Sequence, residues 1–193
     1  MLRKRSLTPF GGAAKFRETA TGAARMQLVV IRHAIALSRE EFAPTGRDDS
    51  LRPLTDKGRA KMEQAAAGLR ELVPSIGLLA ASPFTRAQQT ARIVAAEYGR
   101  LRVITTSTLE PDSELEAFAE WLRTRRGDTI AVVGHEPHLG SLVTWLMTGL
   151  EESRVPLKKG AACLLEFPSR AERGAARLQW ALTASQLGRL AES

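Results

Sequence analysis

The chain has 193 residues, enough for one domain with a substantial core and too few to expect two. Its composition, 44% hydrophobic and 25% charged, is that of a globular protein, and no apolar run approaches the roughly 18 residues that span a bilayer. The net charge of +7 is concentrated at the start: residues 1–25 carry six cations against one anion, and the remainder is close to balance at +2, which argues against a nucleic-acid partner.

Cys163 is the single cysteine, so neither an intrachain disulfide nor a cysteine-based zinc site can form. It lies inside Ala161-Ala162-Cys163-Leu164-Leu165 and reads as a buried thiol. This usage fits a reducing, cytoplasmic compartment. Residues 1–25 are basic, rich in Gly, Ala and Thr, and lack a periodic apolar pattern. They read as a disordered extension, with an Arg-bearing targeting segment or a start at Met26 as the alternatives. No continuous apolar stretch follows the charged start, as a secretory signal requires. One domain is expected over residues 26–193.

In chain order, the run Leu28-Val29-Val30-Ile31 predicts a buried strand over 27–31 that stops at Arg32-His33. A loop over 34–54 follows, with Pro44, Gly46, Asp48, Asp49 and Pro53, long enough to be functional or mobile. Thr55 is placed to cap a helix to about Leu72, whose inner face would carry Met62, Ala65, Ala66, Leu69 and Leu72. Ile76–Ala81 predicts a second strand. Ser82-Pro83 then predicts a helix start, with serine at the cap and proline in the first turn, running to Tyr98 and stopped by Gly99.

A third strand is expected over Leu101–Thr105, and a helix over Ser113–Arg125 with Leu115, Phe118, Ala119 and Leu122 inward. Thr129–Val133 is the clearest β-branched strand and ends at Gly134-His135. Pro137 opens a helix with Leu139, Leu142, Val143 and Leu146 at i, i+3, i+4, i+7, and Gly149 closes it. Gly160–Phe167 and Arg177–Thr183 predict an edge hairpin. Strand and helix alternate through residue 149, which predicts an α/β fold: a mainly parallel central sheet with helices on both faces.

In such a sheet, sites form beyond the carboxyl ends of the strands. Three of these ends carry Arg32-His33, Ser82–Arg86 and Gly134-His135. Taken singly, each of these residues has a structural explanation; His138, in the first turn of its helix, is assigned a structural role. If the ends meet, two arginines and two histidines surround one point. Guanidinium forks grip tetrahedral oxyanions, and a neutral imidazole can attack phosphorus.

The ordered set Arg32-His33, Ser82-Pro83-Phe84-Thr85-Arg86-Ala87-Gln88-Gln89-Thr90 and Gly134-His135 resembles the histidine phosphatase superfamily, and more narrowly its small SixA-type phosphohistidine phosphatase branch. Arg52-Pro53-Leu54-Thr55 with Gly58, His135-Glu136-Pro137-His138-Leu139-Gly140 and Lys158-Lys159-Gly160-Ala161 fit the same pattern, so the resemblance covers about Gln27–Phe167. It implies a phosphoglycerate mutase-like fold, with His33 as nucleophile and Arg32, Arg86 and His135 holding the phosphoryl oxygens. No metal and no organic cofactor are expected. Ala34 stands where much of the superfamily has glycine. Larger relatives place a proton-donating glutamate in the loop after the third strand; here Asp112 is the candidate, with Glu114 as the alternative. The expected substrate is phosphohistidine in a protein partner. A small phosphomonoester is the second reading, and a silent phosphate-binding module the third.

Overall fold

Strands whose two faces are both covered need no polar side, and the uninterrupted apolar runs of this chain build such a sheet. The computed structural model describes residues 26–168 and 171–192. Residues 1–25, and with them the expected basic extension, lie outside the described residues. The strands β1 (Met26–Arg32), β2 (Leu78–Ala81), β3 (Val103–Thr105), β4 (Thr129–Gly134), β5 (Ala162–Phe167) and β6 (Arg177–Leu182) form one sheet in the order β3-β2-β4-β1-β5-β6. The pairs β3–β2, β2–β4 and β4–β1 are parallel; β5 and β6 add antiparallel at the β1 side, as the expected edge hairpin.

Alternate residues of each strand enter opposite layers. Val29, Ile31, Ala131 and Val133 meet α2 (Asp56–Leu72), α3 (Thr85–Glu97) and α6 (Ala184–Leu190). Leu28, Val30, Ile130 and Val132 meet α4 (Leu115–Arg123) and α5 (His138–Thr148). Each fully buried Leu, Ile or Val contributes about 1.5–3 kcal/mol of transfer free energy, so the two layers are what hold the sheet rigid beneath its edge. Cys163 is buried in the second layer, and burial pushes its thiol up to about 12.

Several boundaries differ from the expected ones for identifiable reasons. Leu72 ends α2 and is 39% exposed, because Val73 takes the inward position instead. Ser82 does not cap α3, which starts at Thr85 after an extended Phe84; the Ser82 hydroxyl is buried and meets His135. The helix expected from Ser113 begins at Leu115, since the Ser113 hydroxyl donates to the Ser107 carbonyl at 2.6 Å and holds the preceding turn. Pro137 occupies the capping position of α5, and Gly149 closes that helix in the left-handed region at φ +81°, where a Cβ would be strained.

The 34–54 segment is folded rather than free. It holds α1 (Arg39–Phe42), with a reciprocal Ser38–Glu41 capping box, and two short 3₁₀ turns at Ala43–Thr45 and Asp49–Leu51. A bridge between Ala36 and Leu54 closes it. The helix α6 lies past the last element read from the sequence. Only Leu187 is fully buried in it, too little for a periodic signal, yet it packs tightly on α2 where Gly68 admits the Leu187 carbonyl.

Candidate active site

Because β4 lies between β1 and β2 and runs parallel to both, three carboxyl ends coincide. Arg32 is in register with Gly134, and Ala81 with Val133. The ladder continues one residue further on each side, with His33 N–H donating to Gly134 O and Ser82 N–H to Val133 O, both at 3.0 Å. Arg32, His33, Arg86 and His135 are thereby brought together in the lining of one cleft of about 680 Å³. The strand order places the cleft where the chain's crossovers change direction, the usual seat of a ligand in an open parallel sheet.

His33 is 6% exposed, and its Nδ1–H donates to the carbonyl of Ala34 at 2.7 Å. A carbonyl only accepts, so the proton of the neutral ring is on Nδ1 and the lone pair on Nε2. Burial, with Arg86, Arg32 and Arg52 behind it, pushes this imidazole down to about 3, against the opposing pull of the Ala34 carbonyl. His135 lies 5.1 Å away, ring centre to ring centre, and its Nε2 is 2.9 Å from Ser82 Oγ. Burial first, then His33 and Arg86, hold it at about 2. Both rings are neutral at physiological pH. The turn after His33 is tied down by Thr90: its hydroxyl accepts the Ala34 N–H at 3.0 Å and donates to the Arg86 carbonyl at 2.7 Å.

The arginines are held from behind. Arg32 Nη1 donates to Leu157 O at 2.7 Å. Arg86 is 4% exposed and lies 4.8 Å over the Phe84 ring; its Nη1 donates to Asp49 O at 2.9 Å and lies 3.2 Å from Asp49 Oδ2. Burial lowers the affinity of both guanidinium groups for their protons. Arg32 Nε, Arg86 Nε and His135 Nδ1 are buried and carry no hydrogen bond among the described residues. An unpaired buried polar group costs about 1–3 kcal/mol, and three of them belong to residues that line this one cleft.

The cleft also holds residues that strand-end reasoning does not reach. Asp49 sits among three cations: Arg52 Nε at 2.8 Å and Arg86 Nη1 at 3.2 Å hold its carboxylate closely, and Arg39 Nε lies at 3.7 Å. The Arg52 hydrogen bond comes first among the causes that hold its carboxyl below the usual range. Arg52, 9% exposed, also donates to Leu37 O at 2.6 Å. Glu136 and Lys159 also line the cleft. For Arg52 the signal was present in the Arg-Pro-Leu-Thr motif, and for Glu136 in its place directly after His135; Asp49 looks like any loop acid.

Asp112 is exposed and lines the cleft, while Glu114 is the exposed residue capping α4 and is not part of the lining. His138 is buried, lies outside the lining and makes no hydrogen bond through either ring nitrogen to the described residues. Among the described residues, no group of three or more His, Cys, Asp or Glu side chains is placed to hold a metal ion. No helix among them is long and apolar enough to cross a membrane.

Comparisons with known proteins agree with this geometry. Residues 28–110, which include Arg32, His33, Arg52 and Arg86, match the model of the histidine phosphatase superfamily (branch 1). An uncharacterized protein of Picosynechococcus sp. is 32% identical over 157 residues, covering 80% of this chain and 89% of that one. Among solved structures, the protein histidine phosphatase SixA complexed with tungstate superposes with a TM-score of 0.72 at 23% identity, over 84% of this chain and 99% of that one. A mutant phosphoserine phosphatase of Entamoeba histolytica, in complex with phosphoserine, reaches 0.62 at 14% identity, over 84% and 99%. The shared fold is the phosphoglycerate mutase-like one. The chain belongs to the histidine phosphatase superfamily.

Proposed function

We propose that the protein is a cofactor-independent phosphatase that removes the phosphoryl group from phosphohistidine in a protein partner, through a phosphohistidine intermediate on His33. One observation carries the reading. A neutral imidazole, with its proton fixed on Nδ1 by the Ala34 carbonyl, keeps its Nε2 lone pair in a cleft lined by the half-buried Arg32, the buried Arg86 and a second imidazole. In the first step His33 Nε2 bonds to phosphorus as the bond from phosphorus to the substrate's imidazole nitrogen breaks. Arg32, Arg86 and His135 hold the three equatorial oxygens, on which charge is spread in the transition state. The departing imidazole takes a proton, for which Asp112 is the candidate donor because it lines the cleft and Glu114 does not. Water then attacks phosphorus as its proton passes to the Asp112 carboxylate, the N–P bond breaks, and inorganic phosphate leaves with His33 and Asp112 restored.

The stronger superposition on a protein histidine phosphatase supports the protein substrate. A small phosphomonoester is the second reading. It is favoured by the 34–54 segment, which brings Leu37, Ser38, Arg39, Glu40, Asp49 and Arg52 to the cleft wall. Phosphate release from a phosphohistidine protein, compared in one assay with a panel of sugar, nucleotide and amino-acid phosphates, decides between them. His33→Ala should abolish release, and wild-type enzyme quenched in turnover should carry an acid-labile, base-stable phosphate. Full activity of His33→Ala would refute the mechanism, and preference for the small esters would replace the substrate. A wild-type enzyme that forms no phosphoenzyme with any substrate would return the protein to the binding-module reading.

A further inference from the structure

Arg32 is the less firmly seated of the two arginines at the strand ends. Arg86 is braced by Phe84 and Asp49, whereas the one side-chain hydrogen bond seen for Arg32 among the described residues runs to the main-chain carbonyl of Leu157, a residue 125 positions away in a segment between α5 and β5. What places Leu157 therefore places the guanidinium. Its own N–H donates to Glu136 Oε1 at 2.7 Å. The main-chain N–H of Gly140, in the first turn of α5, also serves this carboxylate. A Cβ on Gly140 would lie 2.8 Å from Glu136 Oε2, so the carboxylate is packed on the helix and not free to swing. Glu136 is thus anchored to α5 directly behind His135 and grips one main-chain group of Leu157, while Arg32 uses the other.

We propose that Glu136 is a positioning residue for Arg32: it holds Leu157 so that the Leu157 carbonyl keeps the guanidinium turned toward the phosphoryl group. The inference rests on the phosphatase reading of the cleft. Its physical basis is that a long, flexible arginine grips an oxyanion well only when its planar fork is oriented beforehand. The acid contributes twice. It fixes the loop through the Leu157 N–H, and its charge lies near enough to Arg32 to favour the protonated guanidinium.

The test is calorimetric binding of inorganic phosphate to the full chain, which needs no knowledge of the substrate. Glu136→Ala should weaken phosphate binding by about tenfold, the usual scale for removing a group that orients a ligand-holding side chain. Glu136→Gln, whose amide oxygen still accepts the Leu157 N–H, should restore affinity to within about threefold, because acceptor and shape are kept. In an Arg32→Ala background the further change Glu136→Ala should cost nothing, whereas general damage to the fold would cost the same in both backgrounds. Should Glu136→Ala fail to fold, Glu136→Met fills the space without an acceptor and takes its place. Unchanged affinity in Glu136→Ala, no rescue by Glu136→Gln, or an equal loss without Arg32 would each overturn the assignment while leaving the phosphatase reading intact. A wild-type protein that binds no phosphate would overturn both.

Discussion

Holding His33 neutral beside three guanidinium groups has a consequence for stability that can be worked out from the structure. The imidazole is held at about 3 against an ordinary 6.5, chiefly by burial. Above pH 6.5 it is neutral in the folded and unfolded chain alike and contributes no pH dependence. As pH falls from 6.5 toward 3, the unfolded chain takes up a proton that the folded chain refuses, and stability is lost. At pH 5 the loss from this one group is about 2 kcal/mol. His33→Gln removes the titrating group and keeps a side chain of similar reach. Urea unfolding at pH 8 and pH 5 should show wild type losing about 2 kcal/mol more than the variant between the two conditions. His135, held at about 2, and His138, also lowered by burial, act in the same direction. Both remain in the variant, and burial, the chief cause of each shift, is unchanged there, so the difference reports chiefly on His33. Equal losses in the two proteins would mean that His33 is protonated in the folded state near pH 5. The argument for a free Nε2 lone pair would then fail with it.

Three further outcomes follow from the packing of the site. Arg86→Lys replaces a fork that reaches two oxygens of Asp49 by a point charge, and should weaken inorganic phosphate by about tenfold in a competition assay while the fold melts normally. Thr90→Val strands the buried Ala34 N–H and should cost about 1–3 kcal/mol in urea unfolding, together with a fall in the rate of phosphate release. Gly68→Ala drives a Cβ to 1.8 Å from the Leu187 carbonyl and should lower stability by about 1–3 kcal/mol by prising α6 from α2. Gly188→Ala, whose Cβ would meet nothing closer than 3.4 Å, is the tolerated control in the same melting experiment.

Local pattern alone was sufficient for the order of the six strands and of the helices α2 to α5, and for placing Arg32, His33, Arg86 and His135 just after apolar runs. Each of these follows an apolar run that must be buried, and parallel strands covered on both faces present their carboxyl ends on one side. That the ends meet at one point was decided by pairing between distant segments, which set β4 between β2 and β1. No local pattern expresses that order. The carboxylates of the cleft were hidden for the same reason. Asp49 meets Arg86 across 37 residues and Glu136 meets Leu157 across 21, so in the sequence each is only a polar residue in a turn. Ser82 shows the limit from the other side: its position before Pro83 favours a helix cap, but burial against His135 turned the hydroxyl into the site. Side-chain chemistry and periodicity are local properties and can be read along the chain. Which charges neutralise, orient or desolvate one another is a property of distance in space, and only the folded sheet, with the 34–54 segment closed over its edge, sets those distances.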